Sequence, residues 1–227
     1  MFESVAPRYD LLNHCLSLGL DILWRKRLVR EAIKNRPQVI LDLATGTGDV
    51  LLGLQSKVET YQGLAFGIDF CRPMLERARQ KGAVNLCLAD ALNLPCKKES
   101  IDVITLAFGL RNFTQRKAFF QEAWRVLKPN GKLLILEFSQ PFPWITSLYF
   151  AYLNYCIPKI ALWFNASPDS YTYLGESIRR FPNKEALTQE LVVAGFHHVF
   201  YRSYSLGTVA LHGAYRDPEW VASEGCS

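Results

Sequence analysis

Several features that would have fixed a class at once are missing from this 227-residue chain. Its six cysteines, at positions 15, 71, 87, 96, 156 and 226, form no C-x-x-C pair and no cysteine/histidine cluster with zinc spacing. That speaks against a disulfide framework or a structural metal. Buried free thiols are the expected state, and they suggest a reducing cytosol. The opening MFESVAPRYD has no basic-then-apolar signal pattern. The most apolar stretch, from about Phe142 to Phe164, is broken by Pro143, Asn154, Pro158 and Lys159. It makes a poor transmembrane span, although it could lie against a membrane or cover a greasy ligand. There is no repeat and no low-complexity run. An excess of one charge is missing too: 26 basic residues against 21 acidic leave +5, and the bases are scattered. Such a balance suits solubility and weak attraction to anionic lipid; it does not support a nucleic-acid stripe. With 49% hydrophobic and 21% charged residues, the chain reads as one globular domain with a sizeable core.

The stretch that organises this domain is VILDLATGTGD, Val39 to Asp49. An apolar run reaches Asp42, a small-residue loop carries Gly46 and Gly48, and apolar residues then resume at helical spacing from Val50. The pattern is a buried strand, a tight turn and a helix. The glycines let the backbone approach a ligand, and the helix offers unpaired N–H groups. No lysine follows Gly48, so this is no Walker loop. The third glycine of a dinucleotide fingerprint is missing as well. Asp49 at the helix start would repel a phosphate, but suits an ammonium group or hydroxyls. About twenty residues on, a second strand ends at Asp69, where an acid binds ribose hydroxyls. The ligand implied is a nucleoside without phosphates that carries a cationic tail. S-adenosylmethionine fits.

Strands are expected at Gly63 to Asp69, Val84 to Ala89, Ile101 to Ala107 and Lys132 to Phe138, with helices between them. Pro73 opens one helix; another runs from about Gln115 to Leu127, ahead of a turn at Pro129-Asn130-Gly131. Alternation of this kind predicts an α/β fold, a doubly wound parallel sheet. Asp21 is expected to cap a helix running to about Asn35, and Asn183 a helix closed by Gly195. His197 to Tyr204 and Thr208 to Tyr215 form a hairpin that adds an antiparallel edge, for seven strands with the last antiparallel. The expected divisions are an N-terminal cap (1–37), a cofactor-binding core (38–139), an aromatic-rich cover (140–182), a final helix and hairpin (183–216) and a frayed tail (217–227). Asp42, Asp69, Asp90 and Arg111 all fall at or just beyond strand ends, where ligands bind in such sheets.

Asp-x-Ala-x-Gly-x-Gly with its downstream acid resembles motif I of class I S-adenosylmethionine-dependent methyltransferases. YDLLNHCLSLGLDILW (Tyr9 to Trp24) and RVLKPNGKLLILEFS (Arg125 to Ser139) resemble signatures of the ubiquinone/menaquinone biosynthesis C-methyltransferases. FGLRNF (Phe108 to Phe113) and YLGESIRRFP (Tyr173 to Pro182) are also similar to that family. The resemblance spans residues 7 to about 216. It departs at Asp21, where the family usually has His, and at Ala107, where Ser or Gly often stands.

The resemblance implies that Asp42, Gly46, Thr47, Gly48, Asp69, Asp90 and Ala91 surround S-adenosylmethionine, with Asp69 on the ribose and Asp90 near the adenine amino group. It implies that Arg111, Asn112 and Tyr9 meet the acceptor, and it calls for no metal. Asp49 is either a helix-dipole residue or a partner of the cofactor's amino group. The expected reaction is C-methylation of a reduced polyprenyl quinone precursor, foremost demethylmenaquinol to menaquinol. A ubiquinone precursor, another lipophilic acceptor and a non-catalytic nucleoside-binding module stay open. The expected partner is a lipophilic quinol; peripheral contact with the inner face of the membrane and a homodimer are compatible with it, and no nucleic acid is expected.

Overall fold

The computed structural model describes residues 17, 19–156 and 175–216. Tyr9, Asp10, His14, the tail from Asp217 and residues 157–174 of the aromatic interlude lie outside the described residues. The chain opens with α1 (Leu20–Ala32), then alternates β1 (Val39–Leu43), α2 (Asp49–Val58), β2 (Leu64–Asp69), α3 (Arg72–Gln80) and β3 (Leu86–Leu88). It continues through β4 (Ile101–Ala107), α4 (Arg116–Val126), β5 (Leu127–Phe138) and α5 (Thr146–Ala151). It closes with α6 (Lys184–Val193), β6 (Phe196–Tyr204) and β7 (Val209–Arg216).

The seven strands lie in the order β3-β2-β1-β4-β5-β7-β6. β1 through β5 pair in parallel, and β7 runs antiparallel to both of its neighbours. This is the expected α/β doubly wound sheet with an antiparallel last strand. The hairpin inserts its second strand inward, so β6 forms the edge. The difference shows in burial: β7 (VALHGAYR) is almost wholly buried, whereas β6 is mostly only part-buried and leaves Tyr201 and Arg202 exposed. Gly213 on β7 makes room for Phe200, whose ring lies 2.3 Å from where a Cβ would stand.

Each face of the sheet carries its own core. Trp24 and Leu28 of α1, Leu51 and Leu54 of α2 and Ala78 of α3 pack on one side. Phe119 and Phe120 of α4 and Leu187 and Leu191 of α6 pack on the other. A fully buried phenylalanine such as Phe119 stabilises the fold by about 3–5 kcal/mol relative to alanine. The chain leaves β1 for β2 and β3, then crosses back to β4 on β1's other side. The loops after β1 and β4 therefore part in opposite directions, and their divergence opens a crevice at the carboxyl ends of the strands.

Three local expectations need correction. The third strand shrinks to Leu86–Leu88, because Asn85 takes a left-handed φ of 54° that breaks extension. Pro129-Asn130-Gly131 falls inside β5: Leu127 already pairs with Ile101, and the turn survives as a left-handed kink at Asn130 (φ 62°). Asp21 does not sit at the cap position, which Gly19 occupies at φ 76°. In the first turn, the Asp21 carboxylate accepts a hydrogen bond from Ser17 Oγ (2.7 Å) and pairs with Arg25. Asn183 does cap α6, accepting from the Ala186 N–H at 2.8 Å.

Candidate active site

The register of β1 creates the first half of the site. Asp42 lies opposite Thr105 of β4 on one side and Gly67 of β2 on the other. The Thr105 and Thr45 hydroxyls each donate to the buried Asp42 carboxylate at 2.6 Å. Burial pushes this carboxyl up to about 6, against the pull of the two hydroxyls. Asp42 thus acts on the loop, through Thr45, rather than on the open crevice.

Beyond β1 the backbone runs left-handed three times, at Ala44 (φ 48°), Gly46 (φ 56°) and Gly48 (φ 85°). A Cβ on Gly48 would stand 3.0 Å from that of Ala78, so α2 can seat against α3 only because this position is glycine. The Gly46 N–H donates to Asp69 Oδ2 at 2.8 Å, and the Cys71 N–H donates to Oδ1 at 2.9 Å. The carboxylate that closes β2 therefore faces the glycine loop. Burial raises its pKa, while the Cys71 and Gly46 N–H groups oppose the rise. Lys81 ties the loop from outside, donating to Thr47 Oγ1 (3.0 Å) and Asp49 Oδ1 (2.8 Å). Arg25 approaches the other Asp49 oxygen at 3.5 Å.

Two cavities of about 160 and 190 Å³ follow from this geometry. They share Ala44, Asp69, Phe70, Asn112 and Phe113, and so form one crevice. Asp90 and Ala91 line one end; the Asp90 carboxylate also accepts the Leu92 N–H at 2.9 Å, which fixes a turn. Gly46 and Phe108 line the other end. Among the described residues that line it there are two acids and no Lys, Arg or His. Such a set fits a neutral or cationic ligand with hydroxyls and an amine, and has nothing to hold a phosphate. The S-adenosylmethionine expected from the sequence matches this donor set.

The second half hangs from β4 and β5. Phe108, at φ 56°, turns the chain out of β4 into the short helical turn Leu110–Asn112. Its ring meets Phe138 at 4.9 Å and Trp24 at 6.1 Å. Asn112 borders both cavities. Arg111 points the other way, toward the end of β5. Its Nη1 donates to Glu137 Oε1 (2.8 Å) and to the Phe108 carbonyl, and its guanidinium lies 5.2 Å from the Phe138 ring centroid. Its own N–H donates to Glu137 Oε2 at 3.2 Å. Burial lifts the phenol of Tyr149, on α5, well above its usual range, and the Arg111 charge pulls against that lift.

Of the residues expected to form the site, Asp69, Gly46, Asp90, Ala91 and Asn112 line the crevice. Asp42, Thr47 and Gly48 build its loop. Arg111 belongs to a buried ion pair beside it, and Tyr9 lies outside the described residues. Glu137 was not singled out by its sequence. The signal was available: an acid closing an apolar run (LLILEF) at a strand's carboxyl end, as at Asp42 and Asp69.

The crevice at the switch point, the antiparallel last strand and the phosphate-excluding acids define a class I methyltransferase. A structure described as a possible histamine N-methyltransferase of Thermotoga maritima has the same fold, with a TM-score of 0.67 at 19% identity over 95% of this chain and 98% of that one. Closer in sequence is a demethylmenaquinone methyltransferase of Deinococcus radiodurans, 41% identical over 93% of this chain and 89% of its own. A ubiquinone/menaquinone biosynthesis C-methyltransferase of Rubrivivax gelatinosus is 38% identical over 93% and 84%. The profile of the ubiE/COQ5 methyltransferase family matches residues 1–216, and the chain belongs to that family. No helix among the described residues is long and apolar enough to cross a membrane.

Proposed function

We propose that this enzyme transfers the methyl group of S-adenosylmethionine to a ring carbon of a reduced polyprenyl quinone precursor, with demethylmenaquinol as the acceptor. The observation that carries the reading is the crevice itself: two acids and no Lys, Arg or His among its described lining residues, and the Leu110–Asn112 turn at its mouth. Membership of a quinone-methylating family supplies the acceptor class.

When bound, S-adenosylmethionine supplies a methyl group already activated by its sulfonium. Asp69 would receive the ribose hydroxyls on the carboxylate lone pairs that the Gly46 and Cys71 N–H groups leave open. Asp90 and Ala91 would border the adenine and Gly46 the methionine part, in a loop that Thr47 helps to shape. Holding donor and acceptor in line contributes roughly 7–11 kcal/mol to lowering the barrier. The acceptor carbon is nucleophilic once a neighbouring ring hydroxyl gives its proton to water; after the methyl group arrives, loss of the ring carbon's own proton to water restores the aromatic ring. Arg111 favours that ionised form electrostatically and is too basic to take the proton itself. Asn112 and Tyr9 position the ring. Leu148, Trp144 and Tyr155, all largely exposed on or beside α5, support an apolar wall for the isoprenoid tail and contact with a lipid phase.

The test uses purified protein, S-adenosylmethionine and demethylmenaquinol, with a ubiquinone precursor and simple phenol and amine acceptors alongside. Methyl transfer to the quinol is expected, and transfer to none of the acceptors would end the proposal. Arg111→Ala should lower turnover roughly 100-fold while leaving cofactor affinity within a fewfold.

A further inference from the structure

We propose that Glu137 is the positioning residue of this site: it fixes the Arg111 guanidinium at the end of β5, beside the crevice, from where its charge acts on the acceptor's ionised oxygen. The inference rests on the reading above, in which Arg111 stabilises that oxygen.

Glu137 is 1% exposed, yet it closes a strand made otherwise of leucine, isoleucine and phenylalanine. Its carboxylate takes three donors: Arg111 Nη1 at 2.8 Å, the Arg111 N–H at 3.2 Å and the Phe138 N–H at 2.9 Å. Two of these bonds go to one residue, through both its backbone and its side chain. The short turn and the guanidinium are therefore fastened to β5 together. Nη1 also donates to the Phe108 carbonyl, so both of its hydrogens are committed. Because the guanidinium is planar, fixing one nitrogen at two acceptors fixes the plane of the whole group. The Phe138 ring on one side limits tilt.

Stability alone is a poor reason for such a pair. Burying two opposite charges removes their hydration, and well-packed apolar residues of similar size often serve as well or better. An orientation requirement accounts for what stability does not. A second polar group points the same way: two residues on, Ser139 Oγ is buried without a hydrogen-bond partner. This strand end carries more polar capacity than its packing satisfies.

The experiment compares the wild type, Glu137→Gln and the double variant Arg111→Met/Glu137→Met in the full chain. For each, cofactor affinity is measured by calorimetry, folding by thermal melting, and methyl transfer to demethylmenaquinol as a function of pH. Glu137→Gln keeps the shape and removes the charge. It should leave cofactor affinity within twofold, lower turnover per folded molecule at neutral pH about 10-fold or more, and move the rising limb of the pH profile. The limb moves because Glu137 sets both the orientation of the Arg111 cation and the net charge beside the acceptor hydroxyl. A fastening role alone would lower the melting temperature and leave the pH profile in place. The double variant should melt near the wild type and remain inactive. The proposal is overturned if Glu137→Gln keeps wild-type turnover and pH profile, or if the double variant remains active. If the wild type methylates no quinol, the underlying function fails with it. If Arg111→Ala is impaired while Glu137→Gln is not, Glu137 alone loses its role and the proposed function stands.

Discussion

The two halves of the crevice are held by opposite electrostatics. Around β1 and β2, the Asp42 and Asp69 carboxylates are hydrogen-bonded by neutral donors, two threonine hydroxyls and two backbone N–H groups. Neutral donors stabilise a negative charge without cancelling it, so this half still presents one. Around β4 and β5, the Glu137 carboxylate meets the full cation of Arg111. Here the charges cancel at rest, and only the orientation of the cation remains to act on a nearby oxygen. The contrast matches two tasks: a standing negative field for a cationic, hydroxylated ligand, and a poised cation for negative charge that forms during reaction.

The largest effect that could break this contrast concerns Asp42. Burial raises its carboxyl from 3.8 to about 6. The folded state then binds the proton more tightly than the unfolded chain does. The stability this contributes is complete below about pH 4 and is lost as pH rises through 6, a change of about 3 kcal/mol. Asp42→Asn carries no such proton. Its amide adds an offset that does not vary with pH, so its stability relative to the wild type should climb between pH 4 and pH 7. Urea unfolding at four pH values in that range measures the climb. Parallel curves for the two proteins would mean that Asp42 is not the strained acid described here.

A smaller effect separates the halves directly. Asp69→Ala should weaken S-adenosylmethionine roughly 10- to 100-fold, about 1.5–3 kcal/mol, the loss expected when hydrogen bonds to a charged group disappear. The KM for the quinol should stay within twofold. A joint loss of both affinities would show that the two halves are one coupled unit.

How far the sequence revealed these halves follows the same division. The β1–β2 half was legible because its parts are local: an apolar run, Gly46 and Gly48, and Asp69 twenty residues on each leave a mark that a single strand–turn–helix unit must carry. The sheet was legible for the same reason, since Ile101–Ala107 is apolar throughout and the strand there has those bounds. The β4–β5 half was not. Arg111 and Glu137 are 26 residues apart, and only the pairing of β4 with β5 makes them neighbours. Asp42 and Thr105 meet across 63 residues for a similar reason, through register. Asp21 was misplaced by a rule that holds on average: an acid before an apolar run caps helices, but here Gly19 supplies the left-handed turn, and Asp21, inside the first turn, serves Arg25 one turn on.

The smallest effect tests where the acceptor's tail lies. Trp144 is 73% exposed, so its removal should change folding stability by no more than about 0.5 kcal/mol. An isoprenoid tail that packs on it would bury part of the indole, and each 50 Å² of apolar surface so covered contributes about 1 kcal/mol to binding. Trp144→Ser should therefore raise the KM for a long-tailed quinol severalfold, while a quinol with a truncated tail keeps its wild-type KM, kcat being similar for both. Steady-state kinetics on the two acceptors decides the matter. An equal change for both tails would move the apolar wall away from α5 and its flanks, and a change in cofactor affinity would tie this face to the first half of the crevice instead of the second.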